Sequence, residues 1–118
     1  MLKIGIIGAG RIGKVHLESI CYHVKNATVV AMADPFMNDE TESFIRSFGV
    51  EKVYKDYKEI INDAEIDAVM VCSSTDTHAP ISIEAINAGK HVFCEKPLAN
   101  TVDKILEIAD ALKAHPEV

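Results

Sequence analysis

The sequence predicts an α/β domain built on a parallel, doubly wound sheet of about five strands flanked by helices. Two observations carry that expectation. Short β-branched runs alternate with segments of helical periodicity from one end of the chain to the other, which is the pattern of repeated βαβ units. The run from Ala68 to Cys72 is apolar without polar alternation, as in a central strand covered on both faces. A length of 118 residues suits one domain, so residues 1–118 are read as a single unit.

The first strand is expected at Lys3 to Ile7. The helix after it carries an apolar stripe of Leu17, Ile20, Cys21 and Val24 at i, i+3, i+4 and i+7. A second strand is expected at Thr28 to Ala33. Thr41, Phe44, Ile45 and Phe48 form the next stripe, stopped by Gly49, a residue type that accepts the left-handed backbone just past a helix end. A short third strand lies near Lys52 to Tyr54. Asp56 and Glu59 have capping-box spacing, and Tyr57, Ile60, Ile61 and Ala64 supply the following helix with a buried face. After the strand at Ala68 to Cys72, Thr77 is a candidate cap, with Pro80 in the first turn and Gly89 beyond the end. His91 to Cys94 reads as a fifth strand, and Asn100 as the cap of a last helix carrying Val102, Ile105, Leu106, Ala109 and Leu112.

Composition excludes several function classes. The formal charge is −6 and no cluster of Lys or Arg exceeds a scattered pair, so neither nucleic acid nor an anionic membrane is an expected partner. No segment approaches the ~20 apolar residues of a membrane span, and Arg11 interrupts the apolar N-terminus too early for a secretory signal. Cys21, Cys72 and Cys94 are odd in number and far apart, matching neither a disulfide framework nor a metal-binding spacing. A reducing, cytoplasmic location is expected, with no metal site.

Gly8-Ala9-Gly10-Arg11-Ile12-Gly13 lies between the first strand and the first helix, where G-x-G-x-x-G has a mechanism. Gly8 permits a tight turn, Gly10 lets backbone approach a pyrophosphate, and Gly13 lets helix pack on strand. The free N–H groups of the helix start then face the phosphates. Asp34 ends the second strand 21 positions after Gly13, near the ~20-residue offset at which a carboxylate receives the adenosine ribose hydroxyls. Together these point to a Rossmann dinucleotide-binding domain. A carboxylate there repels a 2′-phosphate, and Pro35 and Phe36 bring no cation, so NAD is expected over NADP.

The remaining motifs are Asp34-Pro35, the loop Cys72-Ser73-Ser74-Thr75-Asp76-Thr77-His78, and the string Gly89-Lys90-His91-Val92-Phe93-Cys94-Glu95-Lys96-Pro97-Leu98. With the glycine loop, they make essentially the whole chain resemble the N-terminal domain of the glucose–fructose oxidoreductase and inositol dehydrogenase family, most of all its inositol 2-dehydrogenase branch. The resemblance implies that Lys96 contacts the substrate hydroxyl and the nicotinamide ribose, while Glu95 and Pro97 fix the local turn. It also implies that Ser73, Ser74, Thr75 and His78 line the cofactor, and that Arg11 and Ile12 touch the pyrophosphate and the nicotinamide end. A cation such as Lys96 suits the chemistry, because alkoxide charge develops as the hydroxyl proton leaves and hydride departs. Helix capping is the alternative for the Ser and Thr residues, and a satisfied first-turn position the alternative for His78. His16, His23, His91 and His115 show no partner pattern, and Cys94 reads as a small apolar strand residue.

The implied whole protein oxidises myo-inositol to an inosose with formation of NADH. The alternatives are a relative acting on another sugar or polyol, and a non-catalytic NAD-binding module. The family pattern continues into a sixth strand and a substrate domain that supplies an Asp and a His. Neither is represented in these 118 residues, so catalysis by them alone is not expected. An unpaired sheet edge favours association into a homo-oligomer.

Overall fold

The computed structural model describes residues 2–94, 109–111 and 113–114. The β-branched run Leu2–Ile7 forms β1, and the glycine loop leads into helix α1, Arg11–His23. There follow β2 (Ala27–Ala33), α2 (Asp39–Arg46), β3 (Lys52–Tyr54), α3 (Lys58–Ile61), β4 (Ala68–Val71), α4 (Thr75–Asn87) and β5 (His91–Cys94). The five strands make one sheet in the order β3-β2-β1-β4-β5, and every pairing is parallel. The chain winds outward from β1 to β3, then crosses to β4 on the other side of β1. The doubly wound sheet expected from the sequence is therefore the one observed, and its switch point lies between β1 and β4.

Alternate residues of the strands feed two cores. On one face Ile4, Ile6, Val29 and Met32 pack against Leu17 and Ile20 of α1 and Ile45 of α2. On the other, Ile7, Ala31, Val69 and Val71 meet Ile60 and Ile61 of α3 and Ile81 and Ala85 of α4. Cys94 packs at the margin of this second core, as a small apolar strand residue does. Gly5 admits the second core to β1. A Cβ there would run into the Ile60 and Ile66 side chains, and the β1–β2 register slips at the same point, Ile4 facing Val29 and Gly5 facing Ala31.

Local details depart from expectation in three places. In α1 the buried positions are Gly13, Leu17 and Ile20. Cys21 is exposed, because it falls at the margin of the face that Gly13, Leu17 and Ile20 define, and Val24 stands past the helix end as an extended C-cap residue, where helical periodicity no longer applies. The Asp56/Glu59 capping box does not form. The Asp56 carboxylate accepts the Lys58 N–H at 3.0 Å, closing a local turn, and α3 is one helical turn long with Ala64 exposed beyond it. Helix α4 begins at Thr75, so Thr77 stands inside its first turn, not at its cap. Pro80 is correspondingly the sixth helical residue. The proposed last helix is described only at residues 109–111 and 113–114, which are helical, with Ala111 against Ala79 and Ile86. Asn100, Val102, Ile105, Leu106 and Leu112 lie outside the described residues.

At the N-terminal end of the sheet two lysines tie down the segment between α3 and β4. Lys90, 5% exposed, donates to the carbonyls of Asp63 and Ile66 at 2.7 and 2.8 Å. Lys52 donates to the Asp63 carboxylate at 2.6 Å. That bond, more than any other influence, holds the Asp63 carboxyl below its ordinary value of 3.8. A carboxyl whose folded value is depressed adds stability above the unfolded value and loses it as pH falls through the folded one. Thermal melts should therefore decline below pH 3.8, and Asp63→Asn should make that decline shallower. An unaltered acid limb in the variant would remove Asp63 from the account.

Candidate functional site

The site grows from a shortage of space at the switch point. Gly8 follows β1 with φ +105°, a backbone that disfavours any side chain. A Cβ on it would come within 2.6 Å of the Cys72 carbonyl carbon and the Ser73 nitrogen. Gly13, one turn into α1, has the same constraint from the opposite direction, since a Cβ there would collide with the Gly8 carbonyl oxygen. The two glycines let α1, β1 and the β4–α4 loop meet backbone to backbone. The Gly8 N–H bonds the Ala33 carbonyl and the Cys72 N–H the Ile7 carbonyl, both at 2.7 Å, so the loops continue the sheet ladders. Gly10 differs from both. A Cβ on it would meet nothing within 4 Å, and its surroundings are open.

A cleft of about 540 Å³ opens over this junction, with Gly8, Asp34, Ser73 and Ser74 in its walls. Asp34 faces the glycine loop directly. One carboxylate oxygen accepts the Ala9 N–H at 2.7 Å and the other accepts the Phe36 N–H at 2.8 Å. An ionised carboxylate has about four acceptor positions, so two protein bonds leave it able to receive further donors. The loop after β4 is equally ordered. Ser73 and Thr77 hydroxyls lie 2.7 Å apart, Thr77 donates to the Ser74 carbonyl at 2.6 Å, and His78 Nε2 stands 2.8 Å from the Ser73 carbonyl.

The expected site residues thus fall into distinct groups. Gly8, Asp34, Ser73 and Ser74 converge on the cleft. Gly10, Arg11 and Ile12 are exposed at the start of α1, and Gly13 is buried beneath them. His78 is 2% exposed and its ring is turned to the Ser73 carbonyl, outside the cleft lining. Thr75 opens α4. Glu95, Lys96 and Pro97 lie outside the described residues. His16, which showed no pattern in the sequence, sets its ring edge against Phe93 of β5 at 5.7 Å.

Sequence reasoning missed the outer wall of the cleft, formed by Lys55 and Tyr57 after β3 and by Ile81 of α4. Lys55 was discoverable, because it follows the last residue of a parallel strand and ligand crevices open at those ends. The Tyr57 hydroxyl is pushed up to about 12 by burial and by its hydrogen bond to the Glu84 carboxylate. It stays a neutral donor that braces the wall against α4.

Residues 2–118 match the family described as an oxidoreductase family with an NAD-binding Rossmann fold, the glucose–fructose oxidoreductase and inositol dehydrogenase group. The chain belongs to this family. It is 44% identical to myo-inositol 2-dehydrogenase of Thermotoga maritima over 109 residues, covering 90% of this chain and 32% of that protein. With inositol 2-dehydrogenase of Klebsiella pneumoniae it shares 43% over 111 residues, covering 93% and 33%. Scyllo-inositol dehydrogenase of Lactobacillus casei, solved with bound NAD(H) and scyllo-inositol, superposes with a TM-score of 0.92 at 32% identity, over 100% of this chain and 34% of that one. The chain spans about a third of the length of each of these relatives.

The residues present fit the dinucleotide of this family. Open space at Gly10 leaves room for a bulky group, and α1 starts with no side-chain cap and no acidic residue in its first turn. The fit separates two glycine roles. Gly13→Ala should destabilise the domain by about 2–3 kcal/mol through overpacking, whereas Gly10→Ala should change stability by less than about 0.5 kcal/mol. Denaturant melts of the two variants would decide, and equal losses would contradict the packing described for Gly13.

Proposed function

We propose that this chain is the cofactor-binding part of an NAD-dependent dehydrogenase acting on a CH–OH group of a polyol, with inositol oxidised at one ring carbon to the ketone. The observation that carries this reading is the convergence of Gly8, Asp34 and Ser73 on one cleft at the β1/β4 switch point. The inositol dehydrogenases among its relatives support the choice of substrate. In this reading Gly10, with the N–H groups of Arg11 and Ile12, receives the pyrophosphate. Asp34 accepts from the adenosine ribose while keeping its bond to Ala9, and the loop of Ser73, Ser74 and Thr75 borders the cofactor. His78 serves that loop from beneath.

NAD, when bound, supplies the hydride acceptor. Lys96 then stabilises the alkoxide that develops on the substrate or passes its proton on, and Glu95 shapes the turn that presents it. A second domain, outside residues 1–118, completes the substrate pocket. The whole protein is a cytoplasmic homo-oligomer in this reading, and the odd, scattered cysteines fit a reducing compartment.

Calorimetric titration of the chain with NAD and, separately, NADP tests the cofactor assignment. Binding of NAD with preference over NADP is expected, and binding of neither would overturn it. Asp34→Ala should weaken NAD binding by about tenfold, the loss of one or two hydrogen bonds to a charged acceptor. It should also narrow the preference over NADP, and unchanged discrimination would remove Asp34 from the ribose. In the full-length protein, Lys96→Ala should abolish inositol-dependent NADH formation while NAD still binds.

A further inference from the structure

The sequence reading found no cation near Asp34, but the fold brings one there. Ala33 of β2 is paired with Tyr54 of β3, and the Asp34 N–H donates to the Tyr54 carbonyl at 3.1 Å, so the ladder runs one residue past the strand ends. Lys55 is the next residue on the β3 side. It stands across from Asp34 at about the 4.8 Å spacing of neighbouring strands, and both line the same cleft. Lys55 is the only Lys or Arg among the described residues of that lining.

The two charges do not neutralise each other. Asp34 directs its oxygens at the Ala9 and Phe36 N–H groups, and among the described residues Lys55 forms no ion pair. Asp56, next along the chain, is engaged by the Lys58 N–H. A strongly hydrated ammonium on a flexible stem is thus left at the mouth of the cleft, beside the carboxylate assigned to the ribose. It is a point charge suited to a phosphate dianion.

We infer that Lys55 sets how strongly this cleft discriminates against a phosphate on the adenosine ribose. The inference rests on the dinucleotide reading proposed above. Asp34, with the Asp56 carboxylate in the same lining, repels a 2′-phosphate and Lys55 attracts it, so the preference for NAD over NADP is the balance of these opposed charges. Neutralising Asp34 leaves Lys55 as the ready-made phosphate ligand, and a variant without the carboxylate gains NADP affinity only while Lys55 is present.

The test is calorimetric titration of the 118-residue chain with NAD and NADP at low and high salt, for wild type, Lys55→Gln, Asp34→Ser and the double variant. Lys55→Gln should lower the NADP-to-NAD affinity ratio about three- to tenfold, as expected for one charge-assisted contact at a solvated site. It should also flatten the salt dependence of NADP binding. Asp34→Ser should raise the ratio, and the double variant should lose most of that gain. A ratio unmoved by Lys55→Gln, or equal NADP affinities of Asp34→Ser and the double variant, would overturn the role of Lys55 while leaving the NAD site intact. Because Asp34 also braces the glycine loop, the exposed single variant Lys55→Gln decides if Asp34→Ser folds poorly. Binding of neither dinucleotide by the wild type would overturn the cofactor reading and this one together.

Discussion

Three backbone segments must touch where the sheet reverses its winding, and side chains at two positions would keep them apart. A Cβ on Gly8 would press on the Cys72–Ser73 peptide, and one on Gly13 would strike the Gly8 carbonyl. With hydrogen there instead, α1 sits directly on the end of β1 and the β4–α4 loop closes against the same spot. The cleft, the direction of the α1 axis and the reach of Asp34 to Ala9 all follow from that contact. Moving α1 outward by the width of a methyl group would carry the Ala9 N–H away from the carboxylate that now holds it at 2.7 Å. The glycine pattern is therefore a packing requirement at Gly8 and Gly13, and the packing leaves open space at Gly10.

This explains which features were legible in the sequence. Strand positions, the sheet's class and the glycine loop follow from periodicity and from residue types with one physical meaning, and β3 and β5 fall where expected even though they are three and four residues long. Helix starts were read less well. Asp56 and Thr77 are good capping residues by type, yet each satisfies a nearer partner, the Lys58 N–H in one case and the Ser74 carbonyl in the other. Local competition of this kind depends on loop geometry that spacing alone does not encode. The helix that has a true side-chain cap, α2, takes it from Asn38, whose carboxamide accepts the Thr41 N–H at 2.8 Å.

Within the site, residues adjacent to a recognisable motif were legible, and those brought in by register were not. Asp34 is tied to the glycine loop by a fixed offset in the βαβ unit. Lys55 reaches the same cleft through the pairing of β2 with β3, a relation between segments whose offset no motif records. For His78 the sequence left two positions open, a contact with the cofactor and a satisfied first-turn histidine, and the structure shows it buried with its ring at the Ser73 carbonyl.

The helix starts also differ in how open each is to an anion. Helices α1, α2 and α4 each follow a parallel strand, so all three begin at the C-terminal edge of the sheet with unpaired N–H groups. Helix α2 closes its own end with Asn38 and places Asp39, Glu40 and Glu42 in its first turn, which both fills and screens the positive terminus. Helix α4 lacks a side-chain cap but carries Asp76 in its first turn. Of these three, α1 alone has neither a side-chain cap nor an acid in its first turn, and it opens from Gly10, which has empty space where a side chain would stand. An anion approaching the switch point therefore meets one screened terminus, one partly screened and one bare. The bare one is the terminus that the Gly8–Gly13 contact positions over the junction of β1 and β4.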